Sequence, residues 1–232
     1  VGNAQLINTE DFTVNGLTVG KGANAVASNT ALGTNTLASG SLSGNFNTAV
    51  GNNSLTDNTT GNQNTAVGVS SLADNTTGIY NTAIGVTSLF TNTTGRFNVA
   101  IGMSALRLNT TASNNTAVGY NALHDNTTGE FNTAIGLDAL ANNTTASNNT
   151  AVGYQAGYSN TTGATQVYIG YQAGYSNQTG IHNMYIGSQA GYWQTGGLNL
   201  AIGFGSFIGA SGSSTGTGNT ALGITTLNYN TS

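Results

Sequence analysis

The sequence predicts an all-β fold, a parallel β-solenoid built from 17-residue coils. Three observations predict it. Glycine recurs at Gly51, Gly68, Gly85, Gly102, Gly119, Gly136, Gly153, Gly170 and Gly187, each step being 17 residues. A short apolar run of the type T-A-V or T-A-I precedes most of these glycines. Between the runs stand polar turn residues, above all N-T-T-G, and the interval is too short for two helices.

Residues 1–32 contain F-T-V-N-G-L-T-V-G, whose alternation of apolar and polar positions reads as a short β lead-in. Residues 33–203 are the solenoid proper, with the consensus N-T-A-[VI]-G-x-x-[SA]-L-x-x-N-T-T-G-x-x. Gly33 precedes Gly51 by 18 residues, and Gly203 follows Gly187 by 16. Residues 204–232 contain G-S-F-I-G-A-S-G-S-S-T-G-T-G, too rich in glycine and serine for a regular coil, and read as an inserted loop followed by a last irregular coil. Stacked coils place parallel strands about 4.8 Å apart, so some eleven of them make a rod on the order of 50 Å long.

The strand pattern carries a second inference. Side chains alternate across a strand, so Thr and Val or Ile face one way while the central Ala faces the other. Val50, Val67, Ile84 and Ile101 therefore line one face, and Ala49, Ala66, Ala83 and Ala100 the opposite one. Both faces are small or apolar, and a sheet with two dry faces is a sandwiched one. The expectation is a solenoid that packs against copies of itself, for which a three-fold bundle is a closed solution.

Composition excludes several classes of function. Charged residues make up 4% of the chain, against roughly 25% in typical soluble proteins. Lys21, Arg96 and Arg107 are the only Lys or Arg residues, so no basic footprint for nucleic acid exists. No apolar run approaches the length of a membrane-spanning helix, and no signal-peptide pattern stands at Val1. Cysteine is absent, so disulfides contribute nothing to the fold. The net charge is only −4 and apolar residues recur at fixed intervals, which favours order over disorder.

The repeat changes character after residue 150. Leu55, Leu72, Leu89, Leu106, Leu123 and Leu140 occupy one repeat position, which then becomes Gly157, Gly174 and Gly191. Tyr158, Tyr175 and Tyr192 appear beside these glycines, and the strand alanine becomes Tyr168 and then Tyr185. Interiors stay densely filled, so the tyrosines are expected to replace the lost leucine volume. A functional alternative is an exposed aromatic ladder of Tyr154, Tyr158, Tyr171, Tyr175, Tyr192 and Trp193, able to stack on sugar rings.

Catalytic signatures are scarce. The sequence holds no nucleophile elbow, phosphate-binding loop or H-E-x-x-H motif, and no cofactor or metal site is expected. His124 and His182 fall at unrelated repeat positions, and His124 with Asp125 reads as a solvated pair. Asp57 and Asp74 share a position in successive coils, close to the carboxyl spacing of retaining glycosidases, but that position is a turn edge with no accompanying pocket. Asn58, Asn75, Asn92, Asn109, Asn126, Asn143, Asn160 and Asn177 each begin an N-x-T sequon, a glycosylation acceptor in a suitable secretory host. Their strict spacing is explained instead by an asparagine ladder with amides bonded along the axis.

The units N-T-A-V-G-Y-N-A-L-H-D-N-T-T-G and G-Y-Q-A-G-Y-S-N-T-T-G resemble repeats of bacterial and phage tail-fibre-domain proteins. They also look like a lengthened form of the head repeat of YadA-like trimeric autotransporter adhesins, over residues 30–203. The resemblance implies a left-handed, trimeric β-roll that presents a binding surface outside the cell or on a virion. The 17-residue period departs from the adhesin repeat, and no neck, coiled-coil stalk, anchor or chaperone domain accompanies it. The expected function is a non-enzymatic adhesin or fibre segment whose partners are copies of itself and a cell-surface glycan. A self-assembling extracellular filament is the first alternative, since bare solenoid edges at both ends invite pairing. An ice-binding solenoid is the second, although the adjacent Thr59 and Thr60 of each coil point to opposite faces.

Overall fold

The computed structural model describes residues 12–14, 17–209 and 214–227. The fold is a parallel β-solenoid in which each repeat makes one coil and contributes one short strand. Two lead-in strands, β1 (Phe12–Val14) and β2 (Leu17–Gly20), precede β3 (Thr30–Gly33). The coil strands follow as β4 (Thr48–Val50), β5 (Thr65–Val67), β6 (Thr82–Ile84), β7 (Val99–Ile101), β8 (Thr116–Val118) and β9 (Thr133–Ile135). The series ends with β10 (Thr150–Val152), β11 (Val167–Ile169), β12 (Met184–Ile186), β13 (Leu200–Ile202) and β14 (Thr220–Leu222).

From β3 to β14 every strand pairs in parallel with its sequence neighbour, and like pairs with like: Ala49 lies beside Ala66, and Val50 beside Val67. The inserted residues after Gly203 leave this register intact, because Thr220 still pairs with Leu200. At the other end β2 joins β3 antiparallel, and β1 joins β2 antiparallel. The bare parallel edge expected there is therefore covered by strands of alternating direction. That shields the edge from a second copy adding in the register of the coils.

Outside the strands the coils are tied by further backbone hydrogen bonds. Leu55 N–H donates to Ser71 O at 3.1 Å, Asn53 N–H to Thr34 O at 2.9 Å and Thr59 N–H to Thr76 O at 3.0 Å. The chain leaves each strand through the repeat glycine. At Gly102 φ is +130°, and a Cβ there would lie 2.5 Å from Gly119 O in the next coil. Only glycine allows both the bend and this close approach of two backbones.

Columns of alanine, leucine and asparagine fill most of the interior. The strand alanines point inward and are fully buried. The leucine column, Leu55 to Leu140, closes over them from the turn and is also buried. Each of these leucines has positive φ, as at Leu106 (φ 51°). Left-handed backbone costs a non-glycine residue on the order of 1 kcal/mol, offset here by burial of the leucyl side chain. Two buried amide columns, all asparagine except for Gln166 in the first, bond coil to coil. Asn64 N–H donates to Asn47 Oδ1 at 3.0 Å, and the same bond recurs coil after coil up to Asn219 on Asn199. In the second column Asn75 Nδ2 donates to Asn58 Oδ1 at 2.7 Å, and this bond repeats as far as Asn160 on Asn143.

Beyond residue 150 the core exchanges leucine for tyrosine. A Cβ at Gly174 would lie 2.4 Å from the Tyr168 ring, and one at Gly191 2.4 Å from the Tyr185 ring. The glycines thus vacate the space that Tyr168 and Tyr185 occupy, and Phe207 resumes the large-residue position one coil later. Volume compensation rests on Tyr168 and Tyr185 alone, because Tyr158, Tyr175 and Tyr192 sit at the surface, half-buried. Tyr168→Ala should cost about 3 kcal/mol or more, and Gly174→Leu about 1–3 kcal/mol through overpacking. Combined, they should cost less than their sum by about 1 kcal/mol, since Leu106 already adopts the backbone that Gly174 uses. Urea unfolding of the two single variants and the double variant measures this coupling.

Candidate functional site: an uncharged apolar wall and an aromatic tract

The strand wall is apolar on its outer side as well. Opposite the alanines, the Val/Ile column from Val50 to Ile202 faces outward, with Ile101 38% and Ile135 40% exposed. The Thr column of the same strands flanks it, carrying Val99, Val167, Met184 and Leu200 in place of Thr in some coils. On the far side of the repeat glycine runs a third exposed column, including Val69, Val86, Met103, Tyr120, Leu137, Tyr154, Tyr171 and Phe204. A fourth column precedes the strand and exposes Phe46, Tyr80, Phe97, Phe131 and Leu198. Tyr80 and Phe97 stack there, with centroids 5.1 Å apart.

No Lys, Arg, Asp or Glu occupies any of these four columns. Charges of the coils lie elsewhere on the circumference: Asp57, Asp74 and Asp125 in one column, Arg107 beside it, Arg96 and Glu130 in another, and Asp138 in a third. Alternation in the sequence shows that the strand has two apolar faces. The fourth column escapes that signal, because its residues have positive φ, as at Phe97 (φ 58°), and Gln63, Asn114, Asn148, Thr165 and His182 interrupt it.

The six aromatic residues singled out in the sequence come together on three successive coils. Tyr158 stacks on Tyr175 at 5.2 Å with 8° between planes, and Tyr175 on Tyr192 at 5.0 Å with 5°. Trp193 meets Tyr192 edge-on at 4.6 Å. One column over, Tyr154 stacks on Tyr171 at 5.2 Å. The two columns adjoin. Partial burial, then the neighbouring phenols of Tyr192, Tyr158 and Tyr154, raise the Tyr175 hydroxyl above its ordinary pKa. Because these rings stack on one another, most of their faces are occupied, and the tract offers edges and hydroxyls to the outside. Beside it Gln172 Nε2 donates to Gln155 Oε1 at 2.9 Å, which extends the ladder in polar groups.

The eight sequon asparagines are fully buried. Asn109 Nδ2, for example, donates to Asn92 Oδ1 at 2.9 Å and to Ala112 O at 3.0 Å. Glycan transfer needs a free, accessible amide nitrogen, and the folded coil presents none at these eight positions. The threonines beside them divide in the expected way: Thr59 donates its hydroxyl to Thr76 O at 2.9 Å, while Thr60 faces solvent.

The remaining polar candidates stay small. His124 Nδ1 and Asp125 Oδ1 lie 2.6 Å apart as a partly exposed pair. Partial burial, and secondly the neighbouring Asp57, raise the Asp74 carboxyl. Arg107 lies over the Phe90 ring at 5.9 Å, a cation–π contact. Among the described residues no three His, Asp or Glu side chains gather as metal ligands, and no helix is long and apolar enough to cross a membrane. No protein-family model matches the chain, and no curated protein or solved structure matches it.

Proposed function

We propose that this chain is a non-enzymatic fibre segment, adhesin-like or tail-fibre-like, that assembles side by side with copies of itself and works outside the cell or on a virion. The observation that carries the reading is the uncharged apolar wall. The outward columns of the strand and its flank run the length of the rod, roughly 50 Å, and span about 13 Å across. That is on the order of 700 Å² per chain, close to the roughly 800 Å² that one partner contributes to a stable interface. Patches of this size on a monomer mark interaction sites. A second copy is the natural occupant, because it repeats with the same coil rise over the same length. Three copies around one axis would close the assembly without leaving a wall exposed. Of the aromatic tract, Tyr154 and Tyr171 belong to the wall itself, while Tyr158, Tyr175, Tyr192 and Trp193 lie outside its columns and are then left to meet an outside surface such as a glycan.

Charges placed on the wall test this assignment. The double variant Ile101→Asp, Ile135→Asp should run at the 23.3 kDa mass of one chain in light scattering. The variant Thr94→Asp, Thr128→Asp, altered at exposed positions on another side of the coil, should keep the wild-type mass. Equal behaviour of the two variants would exclude the wall as the interface.

A further inference from the structure

We propose that the surface column Tyr158, Tyr175 and Tyr192 is a modification site, where one-electron oxidation joins neighbouring rings as dityrosine and staples successive coils covalently. The backbone ladder sets the spacing. Ser159 N–H donates to Tyr175 O and Ser176 N–H to Tyr192 O, each at 3.0 Å, so the tyrosines stand on adjacent, mutually bonded coils. Their rings are held nearly parallel with centroids 5.2 Å and 5.0 Å apart, and all three are half-buried with part of each ring reaching solvent. Pre-positioning of two reacting groups at contact distance replaces a bimolecular encounter by an intramolecular one. The chain has no cysteine, so no disulfide can hold its coils together.

The chemistry requires an external oxidant of the peroxidase type, with hydrogen peroxide as electron acceptor. Each of two phenols gives up one electron and one proton, and one peroxide is reduced to two waters. The two phenoxyl radicals then join through the ring carbons ortho to oxygen, forming one C–C bond. The hydrogens on those carbons move to the oxygens and restore both phenols. The net change is the loss of two hydrogen atoms per link.

The fold contains its own comparisons. Tyr154 and Tyr171 share the geometry, at 5.2 Å and 12°, one column away. Tyr168 and Tyr185 also stack, at 5.7 Å, but are fully buried and out of an enzyme's reach. Tyr80 stacks on Phe97, which cannot couple in this way, and the neighbours of Tyr120 in its column are Met103 and Leu137.

The whole chain, dilute, would be treated with horseradish peroxidase and hydrogen peroxide. Dityrosine fluorescence is then read, and peptic peptides are mapped by mass spectrometry. Expected are links Tyr158–Tyr175 and Tyr175–Tyr192 within one chain. The fluorescence should fall by half or more in Tyr175→Phe, which keeps the ring and its stacking. It should be unchanged in Tyr120→Phe. Equal yields from wild type and Tyr175→Phe would overturn the proposal. So would links to Tyr80 or Tyr120 as frequent as those within the column, or no dityrosine once the peroxide is consumed.

Discussion

Gly102→Ala is expected to lower the stability of the solenoid by about 3 kcal/mol or more, a large effect for one added methyl group. Two costs combine. At φ +130° an L side chain is strained whatever the space around it, and the new Cβ would sit 2.5 Å from Gly119 O. That oxygen belongs to the backbone of the next coil and cannot move aside without opening the ladder. Gly40→Ala is the matched control, because a Cβ there meets nothing within 4 Å. Its urea midpoint should stay near that of wild type, while that of Gly102→Ala drops well below. Similar midpoints for both would mean that the bend after the strand does not need glycine.

Asn109→Leu is expected to cost about 3 kcal/mol, although leucine has the same number and branching of side-chain heavy atoms as asparagine and is more apolar. The amide joins three partners: its Nδ2 donates to Asn92 Oδ1 and Ala112 O, and its Oδ1 accepts from Asn126 Nδ2 at 3.0 Å. Leucine leaves those three groups buried with one bond fewer each, and unmet buried polar groups carry most of the cost. Thr111→Ala, at an exposed position two residues on, should change stability by less than about 0.5 kcal/mol. Denaturant unfolding of both variants decides the matter. A near-neutral Asn109→Leu would show that the column is a bystander of the packing.

The parts of this molecule legible in its sequence are those fixed by translation along the axis. A coil stacked on its copy puts Ala49 beside Ala66 and Asn58 beside Asn75, so a period of 17 residues implies parallel strands, an alanine face opposite a Val/Ile face and an amide ladder at once. Side-chain direction within the turns was less legible. Two-fold alternation applies to extended backbone, whereas Leu106, Asn121 and Phe97 all have positive φ. Which tyrosines entered the core was therefore not readable by counting: Tyr168 lies on a strand and points in, while Tyr175 lies on a turn and points out. The same limit hid the exposed Phe46, Tyr80, Phe97 and Phe131, and it left open whether the sequons faced solvent. The antiparallel joining of β2 to β3 was not readable either, because F-T-V-N-G-L-T-V-G specifies strands but not their direction against the first coil.

The apolar wall is the feature on which the proposed function turns, since a partner of matching length would cover it. Light scattering of the wild-type chain, repeated over a wide dilution range, addresses it most directly. A mass that is a whole multiple of 23.3 kDa, three-fold for a closed bundle, is the expected result. A single-chain mass of 23.3 kDa at every concentration would contradict lateral self-assembly.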